Sequence, residues 1–256
     1  MGKLQVRNLT IGEGRPKICV PIVETTAEGI LKAARAVKGH PCDMIEWRAD
    51  FFEDYHECWK VRKLLEELRL ELGDMPLLYT FRTRVEGGNA AVDYDEYLTL
   101  NHEAITSGCI DLVDVEILRG DDTTFLVVEE AHQNQVFVVG SNHDFQGTPK
   151  KEAIIMRLCR MQELEADIAK MAVMPKTPRD VLTLLDATLA MRELHNETPV
   201  VTMAMGRLGL ISRMAGELFG SAITFGTVGE ASAPGQIPSE SLARVLEQLS
   251  QIEERS

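Results

Sequence analysis

Short apolar runs rich in valine, isoleucine and methionine recur along the chain, and amphipathic stretches separate them. Eight runs stand at 17–23, 43–50, 76–83, 112–118, 135–143, 167–174, 199–206 and 221–228. Runs apolar on both faces that alternate with amphipathic segments predict parallel strands joined by crossover helices. Start signals support the helices. Thr25-x-x-Glu28 reads as a capping box, and Thr177-Pro178-x-Asp180 places a cap, an N1 proline and an N3 acid in order. A last helix over 239–253 gathers Leu242, Val245, Leu246, Leu249 and Ile252 on one face. Before Lys17, the segment from Val6 to Ile11, with Gly12 and Gly14, has room only for a small hairpin.

Eight such units in 256 residues predict an α/β fold, a closed (β/α)8 or TIM barrel with the N-terminal hairpin closing its floor. No linker interrupts the chain, so 1–256 is expected to be a single catalytic barrel domain. An open doubly wound sheet would call for a glycine-rich first turn, and Pro21-Ile-Val-Glu-Thr25 contains no glycine.

In a barrel, chemistry gathers at the C-terminal strand ends. The second run ends Glu46-Trp-Arg48, the third Thr80-Phe-Arg82, the fourth Asp114-Val-Glu116 and the fifth Ser141-Asn-His143. With a period of two, each pair shares a face, and polar pairs on successive strands converge only if that face looks inward. Lys170 lies inside the otherwise apolar sixth run. A desolvated amine tends to give up its proton, and a neutral amine attacks carbonyls, so a Schiff base is the first functional expectation. A lysine whose stem packs on the sheet while its head reaches water is the structural alternative. His143 is the one histidine that ends a strand run, and histidine is the simplest general base near neutrality.

Charge and composition narrow the classes further. A net charge of −13 argues against nucleic acid, so an anionic ligand would need locally placed arginines. The start of the chain has no apolar leader, and no stretch is long enough to span a bilayer, so a cytoplasmic protein without membrane association is expected. Five scattered cysteines without a C-x-x-C pair read as reduced thiols. With no H-E-x-x-H or other paired ligand spacing and no G-x-S-x-G elbow, neither metal nor serine catalysis is expected, and no cofactor.

Asp114-Val-Glu-Ile117, twenty residues, then Val138-Val-Gly-Ser-Asn-His-Asp144 resembles the signature of type I 3-dehydroquinate dehydratases. Glu46-Trp-Arg48, Thr80-Phe-Arg82, Glu86-Gly-Gly, Lys170-Met-Ala-Val-Met-Pro175, Ile211-Ser-Arg213 and Ala231-Ser-Ala-Pro-Gly-Gln236 also look like that family's motifs, in order across nearly the whole chain. One departure is Gly206, where the family usually has serine after the methionine. The resemblance implies a homodimeric enzyme that dehydrates 3-dehydroquinate through a Schiff base on Lys170. In it, His143 moves the proton and Glu86 orients the histidine. It further implies that Arg213 holds the substrate carboxylate, that Arg48 and Arg82 with Glu46, Ser232 and Gln236 address its oxygens, and that Met203, Met205 and Phe225 form an apolar wall. The loop 230–238 is then expected to be a lid. A Schiff-base aldolase barrel acting on a small hydroxy-ketone is the alternative within the same chemistry, and a non-catalytic anion-binding barrel the alternative outside it.

Overall fold

The computed structural model describes residues 2–229 and 232–253; the side chains of 252 and 253, and with them the expected packing of Ile252, lie outside the described residues. Strands β1 (Leu4–Val6) and β2 (Leu9–Ile11) form an antiparallel hairpin in which Leu4 faces Ile11. Eight strands follow: β3 (Lys17–Ile22), β4 (Met44–Arg48), β5 (Leu77–Thr80), β6 (Leu112–Glu116), β7 (Phe137–Asp144), β8 (Ile168–Val173), β9 (Val200–Ala204) and β10 (Ile223–Thr227). They pair in parallel in the order β10-β3-β4-β5-β6-β7-β8-β9. A two-residue strand β11 (Ile237–Pro238) adds to the end of β10.

The two ends of this sheet meet without a regular ladder. Ser221 bridges Val200, the Ala222 N–H donates to the Val200 carbonyl at 2.8 Å, and the Ser221 hydroxyl accepts the Thr202 N–H at 3.1 Å. The ring is closed at that seam by one bridge and one side chain.

Outside run the helices α1 (Ala27–Val37), α2 (Cys58–Leu72), α3 (Tyr94–Ile105), α4 (Asp121–Gln133), α5 (Lys151–Glu163) and α6 (Pro178–Leu194), then two short turns α7 (Leu210–Met214) and α8 (Gly216–Phe219), and α9 (Ser239–Glu253). The expectation of eight full β/α units is corrected after β9, where α7 and α8 stand in place of one long helix. Gly209 has no room for a side chain, since a Cβ there would meet the Ala204 carbonyl at 1.9 Å, and Gly220 ends α8 at φ +102°. The cap of α1 is Thr26 rather than Thr25, whereas Thr177 and Asp180 form the expected capping box.

Alternation along the strands makes two cores. Ile45, Trp47, Tyr79, Val113, Val115 and Met171 face outward and pack under the helices. Cys19, Met44, Leu78, Leu112, Val139 and Ile168 face inward, and Val6 and Ile11 of the hairpin join them from below. Each such side chain contributes about 1.5–3 kcal/mol when fully buried. The inner set forms an apolar plug, and on β4 to β8 the next inward position, two residues on, carries a polar side chain: Glu46, Thr80, Asp114, Ser141 and Lys170.

Candidate active site

On that next layer Lys170 projects from β8, 3% exposed. Its Nζ lies 3.0 Å from Asp114 Oδ2 on β6, 3.5 Å from Glu46 Oε1 on β4 and 4.8 Å from the ring centroid of Phe225 on β10. The amine is therefore buried, as the apolar run predicted, but flanked by carboxylates. Glu46 is steadied by the Thr80 hydroxyl, which donates to Oε1 at 2.8 Å.

Arg82 follows β5 and is held by three acceptors of its neighbours. Nη2 donates to Asp114 Oδ1 at 2.7 Å, and Nη1 to Glu116 Oε1 and to the Ser141 hydroxyl, both at 3.0 Å. Burial alone would raise the Asp114 pKa, yet Arg82 and Lys170 together hold it well below the usual carboxylate range. Arg48 is paired as closely, donating from Nε and Nη2 to the two oxygens of Asp50 at 2.8 Å each.

His143 ends the inward face of β7. Its Nδ1 lies 3.0 Å from Glu86 Oε2, and the same oxygen accepts the His143 backbone N–H at 2.9 Å. Glu86 comes from the 3-10 turn Arg84–Glu86 beyond β5. Facing donors, it acts as acceptor, so the hydrogen sits on Nδ1 and the Nε2 lone pair is free. Burial, with Arg82 and Lys170 nearby, holds the His143 pKa well below its ordinary value, so the ring is neutral. Burial pushes the Glu86 carboxyl up to about 7 against the pull of Arg82.

Arg213, on α7, differs from the other arginines. It is 1% exposed, its Nε has no partner among the described residues, and its contacts there are the Met203 sulfur at 3.8 Å and the Pro234 carbonyl at 3.4 Å. Burial, with no carboxylate among the described residues to oppose it, lowers its pKa to about 10. A buried guanidinium without an anion is a strong signal for an anionic ligand.

Ser232 and Gln236 close the mouth but clasp each other: the Ser232 N–H donates to Gln236 Oε1 at 2.8 Å and Gln236 Nε2 to the Ser232 hydroxyl at 2.9 Å. Their loop leans on the end of β9, where the Gly206 N–H donates to the Pro234 carbonyl at 3.0 Å. Gly206 holds φ +67°, and Gly235 sits so near that a Cβ there would lie 2.5 Å from the Gly206 carbonyl. A serine would be strained in this backbone. Glu230 and Ala231, the first residues of the expected lid, lie outside the described residues, and Ile237 and Pro238, expected as loop, form β11.

Many of these groups line one cleft of about 500 Å³, open mouth included, with Met203, Met205 and Phe225 along one wall. Lys170, His143, Glu86, Glu46, Arg48, Arg82, Arg213, Ser232 and Gln236 all border it. Sequence reasoning missed Phe145, which also borders the cleft and packs on Gly87, and it left Asp114 and Glu116 without a role. The period-two alternation carried both signals, since Phe145 follows His143 by two positions, as Glu116 follows Asp114. Among the described residues, no three His, Cys, Asp or Glu side chains are grouped to hold a metal ion, and no helix is long and apolar enough to cross a membrane.

Comparison with known proteins agrees with this geometry. The profile of the family "Type I 3-dehydroquinase" matches residues 18–253. A 3-dehydroquinate dehydratase of Clostridioides difficile is 52% identical over 244 residues, covering 95% of this chain and 96% of that protein. One from Listeria innocua is 50% identical over 249 residues, covering 97% and 98%. The crystal structure of the type I 3-dehydroquinate dehydratase from Clostridium difficile with covalently modified comenic acid superposes with a TM-score of 0.96 at 50% identity, over 98% of this chain and 99% of that one.

Proposed function

The chain belongs to the type I 3-dehydroquinase family, which acts in the shikimate pathway, and we propose how its residues divide the dehydration of 3-dehydroquinate. The relatives are dehydratases, so the aldolase alternative falls away. Lys170, as the free amine, attacks the substrate ketone, and loss of water from the carbinolamine leaves an iminium. Its positive charge stays beside Asp114 and Glu46, carboxylates already oriented toward that nitrogen, so little reorganisation accompanies imine formation.

The iminium draws electrons from the adjacent carbon. His143 Nε2 takes the proton there, and the C–H pair becomes the enamine double bond. That pair then expels the β-hydroxyl, which leaves as water with the proton returned by His143. Hydrolysis of the new imine frees 3-dehydroshikimate and regenerates Lys170. In register Ser141 faces Lys170, and His143 stands one strand repeat, about 7 Å, nearer the mouth. The lysine stem can span that offset. Glu86 keeps the proton on Nδ1, the role a carboxylate plays beside the histidine of a hydrolase triad.

Arg213 receives the substrate carboxylate, a role supported by its unpaired Nε. Glu46, Arg48, Ser232 and Gln236 meet the substrate oxygens, while Met203, Met205 and Phe225 shape the wall. Arg82, bound on three sides, serves by holding Asp114 and Glu116 in place. The whole chain acts as one catalytic domain, and a cytoplasmic homodimer needing neither metal nor cofactor completes the reading, with five free thiols in keeping with a reducing compartment.

One observation carries the proposal: a buried amine shares its cleft with a histidine whose Nδ1 is already held by Glu86. Borohydride added with 3-dehydroquinate should fix a substrate-derived mass on Lys170, found by peptide mapping. Lys170→Ala should abolish turnover, whereas His143→Ala should still be trapped but eliminate at least a hundredfold more slowly, as expected for loss of a general base. Labelling at another lysine, or near-normal turnover by His143→Ala, would overturn the assignment.

A further inference from the structure

Behind Glu86 the polar contacts leave the cleft and cross the sheet. Asn142 lies between two inward residues of β7, so its side chain points outward, and it is 1% exposed. Its Nδ2 donates to Glu86 Oε1 at 3.1 Å, and its Oδ1 accepts from Arg157 Nη1 on α5 at 2.9 Å. The same Nη1 lies 3.2 Å from Asp144 Oδ2. Asp144 is tied in turn to the following bend, its Oδ1 accepting the N–H groups of Gln146 at 3.1 Å and Gly147 at 3.3 Å.

An amide has a donor end and an acceptor end, and a guanidinium can only donate. With Arg157 present, Oδ1 must face α5 and the NH2 must face Glu86. Without it, a half-turn of the amide would put Oδ1 against Glu86 Oε1, an arrangement tolerable only for a protonated carboxyl. That proton sits on Oε1, so Oε2 still accepts the Nδ1 hydrogen of His143, but the neutral carboxyl no longer stabilises the imidazolium that forms when Nε2 takes the substrate proton. One amide flip would thus weaken the base with no backbone movement. We propose that Arg157, outside the barrel, is a positioning residue for the elimination: through Asn142 it keeps Glu86 an ionised acceptor and so supports His143 as the base. The inference rests on His143 being the base.

Other groups also face Glu86. Arg82 stands 3.6 Å away and favours its ionised form, while Glu116 and Asp114 from β6 oppose it; His143 approaches from β7. Burial already brings the Glu86 pKa to about 7, so the gain or loss of one donor shifts its ionisation across the working range.

The test compares Arg157→Met with Arg157→Lys in the full-length protein. In Arg157→Met the rising limb of kcat against pH should move up by about one pH unit, a tenfold drop in the ionised fraction below the midpoint. 13C NMR of the Glu86 carboxyl should show its titration moved up to match, while borohydride trapping on Lys170 continues. Arg157→Lys should restore both readouts, because a single nitrogen makes both contacts in the native protein. Should the Met variant not fold, Asn142→Asp takes its place, since it keeps Arg157 satisfied but offers Glu86 no donor, and the same upward movement is expected. A wild-type pH profile and Glu86 titration in Arg157→Met, or in Asn142→Asp, would overturn the inference. Failure to trap at Lys170 in the wild-type protein would instead count against the wider mechanism.

Discussion

Arg213→Met should make the unliganded protein more stable and the enzyme worse, and both effects can be sized. The guanidinium is 1% exposed with an unpartnered Nε. Burial takes its pKa from the ordinary 12.5 to about 10. At about 1.4 kcal/mol per pH unit, holding the charge there costs roughly 3 kcal/mol. For a depressed base the penalty is fully present below the folded pKa, hence at neutral pH, and is relieved only as pH rises from about 10 toward 12.5. Methionine fills similar space without charge. The variant should gain about 1–3 kcal/mol, less whatever the contacts to Met203 and Pro234 supplied, and for a chain of this size that raises Tm by about 2–10 °C. Loss of a charge-assisted clamp on the substrate carboxylate should raise KM at least tenfold, with a smaller fall in kcat. Product should raise the Tm of the native protein but not of the variant. Differential scanning calorimetry at pH 7.5, with and without product, and steady-state kinetics read all of this. A variant of lower Tm without ligand, or one with unchanged KM, would refute the reasoning.

Asp114→Asn should be destabilised by about 3–5 kcal/mol in urea unfolding near neutral pH, because it strips a buried network of the anion shared by Arg82 and Lys170; a loss below about 1 kcal/mol would mean that Glu46 and Glu116 suffice. Glu86 binds its proton more tightly folded than unfolded, so its contribution to stability falls as pH rises from about 4.5 to about 7. Glu86→Gln should therefore gain stability relative to the native chain across that window, by at most about 3 kcal/mol, and a difference that does not change with pH would count against the raised pKa. Gly206→Val demands a positive φ from a β-branched residue; it should loosen the contact with Pro234, speed hydrogen exchange in 232–238 and raise KM, and unchanged exchange would show that the contact does not hold the loop.

Much of this arrangement was legible in the chain because strand alternation carries it. Apolar runs marked all eight barrel strands, and the polar residues ending them lie together because period two turns every second side chain inward. What stayed hidden depends on partners distant in sequence. Nothing around Arg213 tells that it lacks an anion while Arg48 and Arg82 have theirs. Asn142 is legible as outward-facing, but not as the link between Arg157 and Glu86, which requires knowing how α5 lies on β7 and where the turn after β5 comes down. The broken connection after β9 is written in Gly206, Gly209, Gly216 and Gly220, which a count of alternating strands and helices passes over.

The join between β9 and β10 has its own bearing on how the ring holds together. Elsewhere neighbouring strands share a ladder, whereas here Val200, Ser221 and one hydroxyl make the link. By the count of backbone bonds it is the place to open first on heating and to assemble last in folding. The cleft end of the same join is spanned from above, by Pro234 reaching to Gly206 and Arg213. An anion held at Arg213 would act there as a missing rung, so occupancy should slow amide exchange on both flanking strands, and the molecule being converted would briefly be part of the wall that encloses it.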